Sequence, residues 1–132
     1  MHEFTYTLYP HADDVRHSQV YQRAYLVNNP LVAVVPTKAD ARLPERFSIA
    51  TVDADNVVID TIKQAEDGRG TIIRLYECQN RSVRTKLKIG YNCQKVSLCN
   101  LMEEPEGVLT VENNTVSLRL KPFEVVTVRI EN

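Results

Sequence analysis

Val83-Arg-Thr-Lys-Leu-Lys-Ile89 and Thr115-Val-Ser-Leu-Arg-Leu-Lys121 alternate polar and apolar residues almost without interruption. Val83, Thr85, Leu87 and Ile89 fall on one side of the first stretch; Arg84, Lys86 and Lys88 fall on the other. Val116, Leu118 and Leu120 oppose Ser117, Arg119 and Lys121 in the second. A period of two marks a strand with one buried and one wet face, and antiparallel sheets are its usual home. The outward lysines and arginines read as solvated faces that keep strand surfaces soluble.

Working outward, similar segments recur. Strands are expected over 4–9, 31–35, 47–52, 57–64, 71–78, 83–89, 95–101, 108–112, 115–121 and 124–130. Turn signals separate them: Glu66-Asp-Gly-Arg-Gly70, Asn80-Arg-Ser82, the acidic Met102-Glu-Glu-Pro-Glu-Gly107, and Asn113-Asn114. Asp-Gly favours left-handed backbone at its glycine. A helix is expected between Asp13 and Asn28, capped by Asp13 or Asp14 and stopped at Asn28-Asn-Pro30. Residues 36–46 are polar, hold two prolines and read as a loop. Turns every eight to twelve residues give an all-β antiparallel sandwich of about nine to ten strands with one short helix near the N-terminus. The alternation places Phe4, Tyr6, Leu8, Leu87, Ile89, Leu118, Leu120, Val126, Val128 and Ile130 in the core. The all-apolar Leu31-Val-Ala-Val-Val35 is expected to be buried on both faces or to lie at a domain seam.

The 132 residues fit one domain, 43% hydrophobic and 25% charged, with a formal net charge of −1. Nothing in that balance favours nucleic acid or an anionic membrane. No apolar run approaches the ~20 residues of a spanning helix, and Met1-His-Glu-Phe4 lacks signal-peptide architecture. Three cysteines, Cys78, Cys93 and Cys99, form no C-x-x-C pair and imply reduced thiols in a cytoplasmic setting. Asn80-Arg-Ser82 and Asn113-Asn-Thr115 fit the glycosylation sequon but also read as plain turns.

The chemistry-bearing residues are sparse. His11 and His17 are six apart, which is not metal-ligand spacing on one helical face, so no metal site is expected. Glu66 and Asp67 are adjacent, and adjacent carboxylates rarely flank one glycosidic bond at the ~5–9 Å it requires. Glu103, Glu104 and Glu106 read as a solvated loop. Neither a G-x-S-x-G elbow nor a glycine-rich phosphate loop is present. The six tyrosines could stack on sugars, but core packing explains Tyr6 and Tyr76 better. The residues by themselves describe a binding or accessory module.

Longer phrases then matter. Glu3-Phe-Thr-Tyr-Thr-Leu-Tyr-Pro-His11 leads to Tyr25-Leu-Val-Asn-Asn-Pro-Leu31, Phe47-Ser48 and Asn56-Val-Val-Ile59. Lys63-Gln-Ala-Glu-Asp-Gly68, Arg74-Leu-Tyr-Glu77, Asn100-Leu-Met-Glu103 and Pro122-Phe-Glu-Val-Val-Thr127 follow. In this order the phrases resemble the C-terminal end of family 38 α-mannosidases, nearest the cytosolic and bacterial branch. The resemblance covers essentially the whole chain. It implies a nucleophilic aspartate and zinc ligands in an N-terminal barrel upstream, with this part a β-sandwich that supports that barrel. No catalytic residue, metal ligand or cofactor is implied within the chain itself.

Two readings stay open. One is a non-catalytic C-terminal scaffold, 1–132, of an enzyme that hydrolyses terminal α-D-mannosides with retention. The other is a free-standing carbohydrate-binding module, which needs two or more exposed aromatics on a concave face. For the scaffold, Tyr9, Val20, Tyr21 and Tyr25 on and beside the helix, with residues 31–35, are the expected docking surface for the barrel. The turn at Glu66 and Asp67 is the expected loop toward the substrate cleft, acidic enough to accept hydrogen bonds from sugar hydroxyls.

Overall fold

The structure is a computed structural model that describes residues 2–35 and 44–132. The chain separates into two compact units, 1–40 and 41–132. The expected loop over 36–46 falls mostly on 36–43, outside the described residues.

The second unit is the sandwich. Nine strands follow in order among the described residues: β1 (Ala50–Val52), β2 (Val57–Gln64), β3 (Thr71–Glu77), β4 (Val83–Ile89), β5 (Lys95–Cys99), β6 (Pro105–Leu109), β7 (Val111–Glu112), β8 (Thr115–Leu120) and β9 (Val125–Glu131). One sheet runs β1-β4-β8-β7, the other β2-β3-β9-β5-β6, and the pairings are antiparallel. The two inner faces meet in one core. Leu87, Ile89, Val116, Leu118 and Leu120 come from the first sheet; Ile73, Leu75, Val96, Val126, Val128 and Ile130 come from the second. Each of the seven core expectations from Leu87 to Ile130 is buried. Arg84, Lys86 and Lys88 face outward and are exposed, as the period of two requires.

Backbone chemistry explains the connections. Gly68 (φ +74) and Gly70 (φ +88) sit in the left-handed region in the β2–β3 turn. A side chain on Gly70 would also collide with the Ile130 carbonyl, so glycine is required there twice over. Asn113 (φ 51) and Asn114 (φ 57) make the two-residue β7–β8 turn with left-handed backbone at both positions. The three cysteines are free and buried, and burial is the leading cause pushing each thiol up.

Several expectations are corrected. The single strand 108–112 is two: the chain leaves the five-stranded sheet at Leu109 and enters the four-stranded sheet at Val111. Half-buried Leu109 and Val111 keep the alternation through this corner, so period alone hides the change of sheet. The acidic turn is also misread. β6 begins at Pro105, and Glu103 is only 4% exposed.

The first unit differs more. Its helix α1 spans Val20–Asn28, preceded by a 3-10 turn at Val15–His17. Asp14 caps that turn by accepting from the Arg16 N–H, and the Arg16 side chain beside it holds the carboxyl down to about 2. Residues 4–9 and 31–35 form no strand. Phe4, Tyr6 and Leu8, expected in the core, are 71%, 87% and 93% exposed. Leu31, Val32, Val34 and Val35, expected either buried on both faces or at a domain seam, are exposed, which removes the first alternative within this chain. Alternation sets which side chains share a face; it does not supply the sheet that covers them.

Candidate functional site

Two polar networks inside the sandwich use the side chains that chemistry would need. The first surrounds the β2–β3 turn. Gly68 N–H donates to the Ala65 carbonyl at 2.8 Å, and Ala65 N–H donates to the Gly70 carbonyl at 3.1 Å. Asp67 accepts from Arg69 N–H at 2.9 Å and from Arg129 Nη1 at 3.0 Å. The Arg69 backbone N–H is the larger lowering cause, ahead of the Arg129 guanidinium, and together they hold the Asp67 carboxyl below its ordinary range. The Glu66 side chain is exposed and pairs with Lys63 Nζ.

Glu103 is the hub. Its Oε1 lies 2.7 Å from Lys63 Nζ and 3.6 Å from Arg74 Nη2, while its Oε2 accepts from Glu66 N–H at 2.8 Å. Lys63 and then the Glu66 amide keep its carboxyl below the usual range; Glu103 in turn raises Lys63. The loop that aims Glu103 inward is built on Asn100, whose Oδ1 accepts from Met102 N–H at 2.9 Å and Glu104 N–H at 3.0 Å. Glu103 itself takes φ 67, an uncommon conformation for a non-glycine residue. Arg74 Nη2 completes the clasp by donating to the Leu101 carbonyl at 3.0 Å.

The second network centres on Glu77, which is fully buried. It accepts from Asn56 Nδ2 at 2.8 Å, Gln79 N–H at 2.8 Å and Phe123 N–H at 3.0 Å. Burial pushes this carboxyl up, but the Phe123, Asn56 and Gln79 donors outweigh it and leave it below the ordinary range. Glu77 thereby ties the start of β2 and the end of β3 to the β8–β9 turn.

These geometries limit the chemistry. A general acid needs a carboxyl raised toward operating pH. Asp67, Glu77 and Glu103 are instead held low and committed to internal donors. Among the described residues no three His, Cys, Asp or Glu side chains converge to hold a metal. Replacing Glu103 by alanine is expected to speed amide exchange across residues 65–70 by roughly tenfold or more while leaving the β4–β8 ladder unchanged. Residue-resolved hydrogen exchange checks this.

The expected docking residues lie in the first unit. Tyr9 and Val20 line one groove of about 520 Å³, with Thr5, Thr7, Ala24 and Val27. Tyr21 and Tyr25, four residues apart, share a helical face and are half-buried. Sequence reading missed Asn56, Lys63, Arg74, Glu77 and Glu103 as network members. The one available signal was Asn100 preceding two glutamates, a turn-forming pattern that folds the chain back on itself.

A family model described as "Glycosyl hydrolases family 38 C-terminal beta sandwich domain" matches residues 56–128. The chain is 37% identical over 132 residues to alpha-mannosidase 2C1 of Homo sapiens, which takes in 96% of this chain and 12% of the relative. It is 36% identical over 130 residues to alpha-mannosidase 2C1 of Mus musculus, at 94% and 12%. A putative mannosylglycerate hydrolase of Halalkalibacterium halodurans is 28% identical over 131 residues, at 98% and 14%. The chain thus spans about an eighth of the length of these curated relatives.

Proposed function

The chain belongs to the glycosyl hydrolases family 38 C-terminal beta sandwich domains, and from that premise we propose that it is a non-catalytic scaffold within a longer, cytoplasmic α-mannosidase. That enzyme hydrolyses terminal α-D-mannosides with retention, by two-step displacement through a glycosyl-enzyme intermediate. Its nucleophile and its zinc belong to a catalytic barrel elsewhere in the polypeptide. This chain supplies the barrel with a rigid neighbour.

One observation carries the reading. The phrases that bear the family likeness spend their polar side chains on one another. Lys63 and the Glu66 amide meet Glu103, and Arg74 joins them; Asn56 and the Phe123 amide meet Glu77. Residues used this way lock strands and turns together, which is what a scaffold needs.

The carbohydrate-binding alternative finds no comparable support. The nine strands contain a single aromatic, Tyr76, and it is half-buried. A stacking platform on a sheet face needs more. Of the proposed cleft loop, Glu66 keeps an exposed carboxylate that can meet a sugar hydroxyl, whereas Asp67 is held by Arg129. A separation beyond about 15 Å from the reacting sugar, past hydrogen-bond or single-water reach, would remove the loop from the cleft.

The test is turnover of an aryl α-mannoside by this chain alone. The proposal expects none above buffer. Hydrolysis by material free of any longer polypeptide would overturn it.

A further inference from the structure

We infer that residues 2–35 dock on the remainder of the longer polypeptide, where 4–9 and 31–35, which form no strand in this structure, add as strands to a sheet. The inference rests on the proposed function and names the docking element. None of the residues in this segment is buried. About 34 residues with no core of their own fall below the size at which a chain holds a fold unaided. Their conformation therefore requires cover from elsewhere.

The cover can be described from what is left open. Phe4-Thr-Tyr-Thr-Leu-Tyr9 keeps the alternation of a strand. Thr5, Thr7 and Tyr9 line the groove beside Val20, Ala24 and Val27 of α1. The opposite side, Phe4, Tyr6 and Leu8, carries the larger apolar groups and faces open space. Phe4 and Tyr6 already sit edge to face, with ring centroids 5.2 Å apart. Leu31-Val-Ala-Val-Val35 is uncharged, mostly β-branched and exposed. Two β-prone stretches without charge suit an apolar sheet that offers open main-chain partners, the chemistry of strand addition. They do not suit a charged or nucleic-acid partner.

The occupant follows from extent. The match to the family sandwich model begins at residue 56, so it leaves residues 2–35 out. The match to the human relative nevertheless takes in 96% of this chain, hence nearly all of residues 2–35, while amounting to only 12% of that relative. The other seven-eighths of the longer chain is the surface available to cover the segment.

Hydrogen exchange with mass spectrometry tests this on the 132-residue chain, and on human alpha-mannosidase 2C1 with its matching stretch replaced by this chain. In the isolated chain, amides of 4–9 and 31–35 are expected to exchange at unfolded-chain rates. In the chimera the same amides are expected to slow by about a hundredfold or more. A chimera that turns over mannoside while these amides stay unprotected overturns the inference and leaves the proposed function standing. Protection in the isolated chain that grows with concentration also overturns it, because a second copy is then the occupant. If the chimera fails to fold, the matching stretch of the unaltered human enzyme is measured instead, and lack of protection there overturns the inference equally. Turnover by the isolated chain would sink the proposed function without touching these exchange rates.

Discussion

Leu118→Ala is expected to cost the sandwich about 2–5 kcal/mol, the range for a large-to-small change in a packed core. Leu118 is 6% exposed, opposes Thr85 across the β4–β8 ladder, and packs in the core that both sheets share. Truncation removes apolar contacts from both layers and leaves a void that the paired strands cannot close. Its neighbour Arg119 points outward, directly opposite Arg84. Arg119→Ala should change stability by no more than about 0.5 kcal/mol, since it relieves a like-charge pair rather than opening a cavity. Urea denaturation of both variants measures the contrast. A loss below about 1 kcal/mol for Leu118→Ala would mean that the register is wrong.

Glu77→Ala is expected to cost about 3 kcal/mol or more. It strands the buried Asn56 side chain and Gln79 amide and the part-buried Phe123 amide, three donors left without their acceptor. Glu77→Gln keeps the shape but turns one acceptor into a donor facing donors, so it should also destabilise, by less. The pH dependence has a definite sign. The folded carboxyl titrates below its ordinary 4.5. Its contribution is therefore complete above the unfolded value and is lost as pH falls through the lower folded value. Denaturation of wild type and Glu77→Gln across about pH 3 to 7 should show the wild type losing more of its advantage at the acid end. A wild-type advantage that grows on acidification would contradict this account of Glu77.

The sandwich was legible because its strands carry their own instructions. Val57–Gln64 and Val83–Ile89 match the expected segments at both ends, and the buried set from Leu87 to Ile130 follows from alternation. The same rule failed at Phe4, Tyr6 and Leu8, because a periodic face does not specify its partner. Glu103 was hidden for a different reason. Glutamate between a methionine and a second glutamate reads as solvated; only the Asn100 turn and the approach of Lys63 from another strand bring it inside. Glu77 likewise depends on Asn56 and Phe123, 21 and 46 residues away in sequence. Short-range patterns revealed the ladders, whereas the networks are long-range and were not visible before the fold.

The family phrases had both values at once. Lys63-Gln-Ala-Glu-Asp-Gly68 runs into the turn expected there, but the acids of that turn pair with Lys63, Arg69 and Arg129. Asn100-Leu-Met-Glu103 looked like surface, and it supplies the hub. Their shared purpose became clear only when they met across the five-stranded sheet.

The central claim is that this chain supports chemistry performed elsewhere in the same longer polypeptide. The most direct measurement compares that polypeptide with and without Leu118→Ala, following both kcat at 25 °C and the half-life of activity on heating. The account predicts kcat unchanged within about twofold and a half-life shortened several-fold, because a weakened scaffold unfolds sooner without altering the reacting groups. A kcat that collapses while the half-life on heating stays unchanged would contradict it, and would place this sandwich in the chemistry itself.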